Sequence, residues 1–316
     1  MVRELAIRTC GLTKQFERHI AVNEVDLEIP EGEVYGLIGP NGAGKTSLIR
    51  MLAAAEEPTT GEIYINGDRL RLDKSNSKIK RLLGYLPDDY PLYEDLTVWD
   101  YLDYFARLYR LREPRRTQRL HQVLELIQLE NKRHSLISTL SRGMKQRLSL
   151  ARTIIHEPIL LLLDEPVSGL DPIARMQFRQ IIKSLQEAGM TILISSHVLS
   201  DLAELCTSVG IMELGFLVES ASLQELYQRL SQQQIILSTL GNLKSLESEL
   251  KNYPLVKEWE KIQGKNSLRV NFSGTPEDAA DLLRSLIVSG FPITDFYCTQ
   301  EDLESIFLKL GHKQAS

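Results

Sequence analysis

The stretch EVYGLIGPNGAGKTSLIRMLAAA, Glu33–Ala55, decides how this chain begins to fold. Glu33–Ile38 is a short, mostly apolar run, GPNGAGKT is a glycine-rich turn, and SLIRMLAAA has good helix formers with apolar residues at helical spacing. The order predicts strand, loop, helix. Gly39, Gly44, Lys45 and Thr46 satisfy the pattern G-x-x-x-x-G-K-[ST], with Gly42 inside it. Glycines let the backbone curl until successive N–H groups point at one anion, and the helix that follows turns its positive end toward the same place.

That geometry suits a polyphosphate. Gly39, Pro40, Asn41, Gly42, Ala43, Gly44, Lys45, Thr46 and Ser47 are therefore expected to line a nucleotide-binding loop. Lys45 would reach the β- and γ-phosphates as a point charge, and the Thr46 hydroxyl would hold Mg²⁺. Outward from the loop, Ile159–Leu163 is an apolar run between Pro158 and Asp164, as expected of a strand covered on both faces. Met190–Ser196 predicts a third strand after a helix over IARMQFRQIIKSLQEAG, and this alternation indicates a parallel α/β sheet. Between the first two strands, Thr97–His156 carries apolar residues every three to four positions and predicts an inserted helical subdomain, about 88–157.

Each strand end supplies a candidate. Asp164 stands where it would bind Mg²⁺, directly or through water, and Glu165 where it would orient an attacking water. A solvated strand end is the plain alternative for two adjacent carboxylates. His197, in SSHVLSD, falls on the ligand-binding edge of such a sheet and would join the γ-phosphate and the water.

Bulk properties narrow the classes. With 316 residues there is room for about two domains. A net charge of −5, from 42 acidic against 37 basic residues, provides no global basic field for nucleic acid. Cys10, Cys206 and Cys298 are odd in number and far apart, so neither a disulfide framework nor a zinc site is indicated. No run approaches 18 apolar residues, and the N-terminus has no apolar signal region, so work at a membrane is expected to go through a partner. After the polar segment Ser231–Gln234, the pattern reads strand 235–239, helix 242–252, strands 255–262 and 267–272, helix 275–289, strand 293–298 and a last helix at 301–310. This β-α-β-β-α-β order is the ferredoxin-like plan, and the expected division is 1–220 and 221–316.

Over Met1 to about Glu219 these motifs resemble the ATP-binding subunits of ABC transporters. GPNGAGKT is followed in family order by LGYLPDD (Leu83–Asp89), similar to the Q-loop, then LSRGMKQRLSLARTI, similar to the signature, then LLLLDEP, SGLDP and SSH. The resemblance implies ATP and Mg²⁺ as ligands. It also implies a head-to-tail dimer in which Ser141 and Gly143 cap the γ-phosphate held by a second copy, with Asp171 marking the D-loop. Phe16 takes the position of the adenine-stacking aromatic, a plain core phenylalanine being the alternative. A separate integral membrane permease is the implied partner, placing the chain on the cytoplasmic face of the cell membrane, with no nucleic acid expected.

Three features depart from or refine the pattern. Asp88 stands where many members have Gln, a shorter anion able to approach Mg²⁺ or water but unable to donate when ionised. Arg142 and Met144 replace residues of the common Ser-Gly-Gly-Gln. Together with Pro91–Leu111 these substitutions resemble the drug-, lipid- and polysaccharide-export branch. Within that segment Tyr101, Tyr104, Phe105 and Leu108 are expected to form one buried helical face, with other aromatics lining a groove for a membrane partner. Arg110, Arg112, Arg115, Arg116 and Arg119 are expected to be a solvated connecting stretch.

Rival readings fare less well. A soluble ABC ATPase acting on nucleic acid or ribosomes usually carries two cassettes or a long coiled coil, whereas this chain has one phosphate loop and no sustained heptads. A GTPase needs an NKxD-type motif, and NKRH at Asn131–His134 lacks the acid. A non-hydrolysing subunit is opposed by Glu165 and left open by Asp88 and Arg142.

Overall fold

The computed structural model describes residues 4–71, 76–198, 202, 205–230, 233–262 and 266–300; the helix expected at 301–310 lies outside them. The chain divides into two compact units, Met1–Leu223 and Gln224–Ser316.

In the first unit, β4 (Val34–Ile38), β8 (Leu160–Leu163) and β9 (Thr191–Ser196) are buried at every position. The apolar runs of β4 and β8 and the Ile192–Ile194 centre of β9 satisfy their side chains only between two covering layers, each fully buried leucine or isoleucine contributing roughly 1.5–3 kcal/mol. They form the middle of a six-stranded sheet ordered β11-β10-β4-β9-β8-β7, completed by β7 (Leu83–Leu86), β10 (Ser208–Glu213) and β11 (Phe216–Ser222). All neighbours are parallel except the β10–β11 hairpin. Helices α1 (Lys45–Leu52), α2 (Ser77–Leu82) and α6 (Pro172–Glu187) alternate with these strands.

A second sheet escaped the sequence reading. It pairs β1 (Leu5–Phe16), β2 (His19–Val25), β3 (Glu28–Pro30), β5 (Thr60–Ile65) and β6 (Asp68–Arg69), all antiparallel. The reason is visible in β1, where pairing slips between Cys10 and Thr13 around Gly11, whose φ is +53°. A bulge there breaks the period of two by which a strand is recognised. Ile159 also corrects the reading, since β8 begins one residue later and Ile159 is 41% exposed.

Between β7 and β8 lie α3 (Val98–Leu108), α4 (Arg115–Leu126) and α5 (Arg142–Ile154). The buried face of α3 is Val98, Tyr101, Leu102 and Ala106; the expected stripe holds at Tyr101, is half-buried at Phe105 and fails at Tyr104 and Leu108, which are exposed. Tyr93 explains the difference: its ring meets Tyr101 and Tyr104 edge-on and Phe105 face-on, so an aromatic cluster rises from buried Tyr101 to the exposed rings of Tyr93 and Tyr104. In the arginine stretch Arg110, Arg112 and Arg115 are exposed as expected, and the correction falls on Arg116 and Arg119, which are half-buried. Arg115 pairs with Glu157; Arg116 lies 2.9 Å from Asp103 and 2.6 Å from Glu113; and Arg119 donates to the carbonyls of Ile154 and Ile155 at the end of α5. Arg116 and Arg119 brace α4 against its neighbours, the Arg119 guanidinium satisfying open carbonyls of a helix C-terminus.

Helix α7 (Leu223–Leu230) precedes the elements of the second unit: β12 (Gln233–Thr239), α8 (Leu243–Leu250), β13 (Val256–Lys261), β14 (Ser267–Phe272), α9 (Pro276–Val288) and β15 (Ile293–Gln300). The sheet is antiparallel with order β13-β14-β12-β15. Ile235, Leu237, Leu268, Val270 and Phe272 on one sheet face close a core with Leu246, Leu250, Leu282 and Leu286. Thr275 and Asp278 form a reciprocal capping box that starts α9.

Candidate active site

The loop after β4 cannot be built without its glycines. A Cβ on Gly39 would sit 2.2 Å from the Met212 carbonyl oxygen, and one on Gly44 would sit 2.1 Å from that of Ala21. Gly44 also holds φ at +101° as the residue that opens α1. Lys45 follows at once, buried to 6% exposure, and its Nζ donates to Gly39 O at 2.7 Å and Pro40 O at 3.2 Å. Thr46 and Ser47 occupy the next two positions of α1.

The ends of β8 and β9 bring the carboxylates to this loop. Asp164 is 1% exposed, and its Oδ1 accepts from Ser195 Oγ at 2.7 Å. The same Ser195 oxygen accepts the Glu165 N–H at 2.9 Å, so one hydroxyl orients both acids. Glu165 adopts φ +46°, a backbone state that costs a side-chain-bearing residue about 1–3 kcal/mol and persists only where neighbours fix it. Its carboxylate spans two partners: Oε1 lies 3.4 Å from Lys45 Nζ, and Oε2 accepts from His197 Nδ1 at 2.8 Å.

Electrostatics mark the same place. Burial pushes the Asp164 carboxyl above its usual value, helped by the Glu165 charge and opposed by Ser195, Thr46 and Lys45. Asp88, at the surface just after β7, is also raised, first by partial desolvation and then by Asp164, Glu165 and Asp89, while Arg142 acts the other way. Asp164 Oδ2 is buried and has no hydrogen-bond partner among the described residues. An orphaned carboxylate oxygen beside a hydroxyl and a lysine fits the oxygen-ligand preference of a hard divalent cation.

Lys45, Asp164, Glu165 and His197 thus converge, with Asp88 inside their electrostatic field. Ser141, Gly143 and Asp171 gather elsewhere, at the N-termini of α5 and α6. Ser141 caps α5 by accepting Met144 N–H, and Asp171 caps α6 by accepting Ala174 N–H at 2.9 Å. A Cβ on Gly143 would come 2.7 Å from that of Ala174, so the glycine lets the two helix starts close up. Phe16 ends β1 with 43% exposure and its ring under Lys14 Nζ at 4.7 Å, which excludes the core alternative. Two residues were missed: Ser195, legible only as the first Ser of SSH, and Arg142 as a contact residue, whose partner Ser168 O is a backbone atom and leaves no sequence signal.

The ABC transporter profile matches residues 22–168, the span from β2 past the DEP carboxylates. An uncharacterised ABC transporter ATP-binding protein of Bacillus subtilis, YxlF, is 37% identical over 96% of this chain and 98% of its own. The chain belongs to the ABC transporter ATP-binding proteins. As such it binds ATP and is an ATP hydrolase, and its first unit is an ABC ATPase cassette. The bacitracin transport ATP-binding protein BcrA of Enterococcus faecalis is 37% identical over 72% of this ABC subunit and 73% of its own length. Among solved structures, an ATP-binding cassette in a dimeric post-hydrolysis state with ADP and Pi superposes with TM-score 0.62 at 26% identity, over 69% of this chain and 98% of that one. Among the described residues no helix is long and apolar enough to cross a membrane.

Proposed function

We propose that this ABC subunit energises export through a separate membrane permease by closing on ATP as a dimer and reopening after hydrolysis. The observation that carries this is the split of the site into two constellations. Lys45, Glu165 and His197 lie together, while Ser141 is exposed at the start of α5, presenting a helix N-terminus outward. Such a terminus suits the γ-phosphate bound by a second copy. Gly39–Ser47 would cradle the phosphates and Phe16 would stack on adenine. Thr46 and Asp164, with Asp88 nearby, would hold Mg²⁺, which when bound neutralises charge on the phosphate oxygens. Glu165, hydrogen-bonded to His197, would orient a water in line with the γ-phosphorus, and Lys45 would stabilise the charge that develops.

Export draws support from the bacitracin transport relative and from the aromatic surface of Tyr93, Tyr104 and Phe105, which would receive the permease. Helices α3–α5 form the inserted subdomain in this reading, and the second unit is a ferredoxin-like accessory domain for contact and regulation. The subunit would then lie at the cytoplasmic face of the membrane through its partner. Purification from gently solubilised membranes tests this: a polytopic membrane protein should accompany the chain and stimulate its ATP turnover. Recovery with ribosomes or nucleic acid, and no membrane partner, would overturn the transport reading.

A further inference from the structure

Arg142 stands where the common signature has glycine, yet its side chain is not idle. Its Nη2 donates to Ser168 O at 3.0 Å. The guanidinium lies against Gly169 so closely that a Cβ there would meet Nη1 and Nη2 at 2.5 Å, and Gly169 holds φ at +65°. Ser168 N–H in turn donates to Glu165 O at 3.1 Å, and Glu165 N–H is held by Ser195 Oγ at 2.9 Å. The unfavourable backbone of Glu165 is therefore fixed on one side by Ser195 and on the other by a turn whose outer carbonyl is gripped by the signature helix. Gly143 and Ala174 press the same two segments together one residue further on.

We propose that Arg142 is a positioning residue: it clamps the Ser168–Gly169 turn to the start of α5 and so fixes the backbone from which Glu165 is aimed. This rests on the reading of Glu165 as the group that orients water. A guanidinium suits the role because its planar fork can donate to a carbonyl while lying flat on a glycine, which an ammonium cannot do. Arg142 thereby links, within one chain, the face offered to a second copy and the acid that serves its own nucleotide.

ATP turnover by the full chain, alone and with its co-purified permease, tests the inference. Arg142→Ala should lower kcat about fivefold or more while changing the KM for ATP by less than about twofold, the pattern of lost transition-state geometry. Arg142→Lys should recover part of the loss. Gly169→Ala pushes the guanidinium away and also strains its own backbone at φ +65°, so it should lower kcat at least as far as Arg142→Ala. In Arg142→Ala an unchanged kcat, or a raised KM with kcat intact, would each overturn the proposal, the second by making Arg142 a direct nucleotide contact.

Hydrogen exchange over Glu165–Asp171 provides a readout that needs no turnover. Faster exchange in Arg142→Ala supports the clamp, and unchanged exchange removes it. If the wild-type chain hydrolysed no ATP, the functional reading would fail while this measurement still decided the clamp.

Discussion

Lys45 Nζ and Glu165 Oε1 lie 3.4 Å apart, so the cation proposed for phosphate and the acid proposed for water neutralise each other across the site. In the proposed site Glu165 thus stands beside the lysine as a bound phosphate would, while Gly39 O and Pro40 O take the other ammonium protons. The pair is nearly enclosed, with side-chain exposures of 6% and 13%, so neither charge is screened as it would be at the surface.

Removing the cation alone should therefore hurt twice. Lys45→Ala loses a charged donor to the phosphates and leaves Glu165 facing them, and ATP affinity should fall by about 100-fold, equivalent to about 2.7 kcal/mol. Adding Glu165→Gln should restore part of that binding in a fluorescent-nucleotide titration. A double variant no better than Lys45→Ala would mean that the acid does not oppose ATP.

The raised Asp164 carboxyl fixes a sign for pH dependence. A folded-state value above the unfolded one, about 3.9 for aspartate, means that the folded chain binds the proton more tightly. The stabilisation is complete below the unfolded value and is lost as pH rises through the folded one. Nucleotide-free Asp164→Asn should accordingly melt higher than wild type at neutral pH, with the gap closing on acidification. ATP with Mg²⁺ should reverse the order if Asp164 holds the cation as proposed, since the anionic carboxylate is a stronger ligand for it than the neutral amide. Thermal melts at pH 7.5 and 4.5 measure both effects.

Gly44 permits no side chain. Gly44→Ala places a methyl 2.1 Å from the backbone oxygen of Ala21 at φ +101°, and should cost about 2–4 kcal/mol in denaturant unfolding. Gly42→Ala, at φ +83° with nothing within 4 Å, should cost less than Gly44→Ala.

What the sequence revealed and what it hid have physical causes. The phosphate loop, Asp164, Glu165 and His197 are consecutive with strands buried on both faces, and such strands announce themselves as unbroken apolar runs. The strands before Glu33 stayed hidden because bulges at Gly11 and beyond interrupt their alternation. Helical spacing named the right helix at Val98–Leu108 and its buried Tyr101 but set the face too far round, at Tyr104 and Leu108, because spacing alone does not tell a core stripe from an exposed aromatic cluster. Contacts through backbone atoms, such as Arg142 to Ser168 O, have no sequence signature at all.

The central claim is that two copies share ATP, with Glu165 committing it to hydrolysis. Glu165→Gln keeps the shape of the side chain and its place beside His197 while removing the charge. Light scattering on a sizing column with saturating ATP and Mg²⁺ is the direct measurement. The account predicts that Glu165→Gln elutes as a stable dimer with ATP and as a monomer without it, while its ATP turnover falls by roughly 100-fold or more. A variant that stays monomeric under saturating ATP, or that turns over ATP at the wild-type rate, would contradict it.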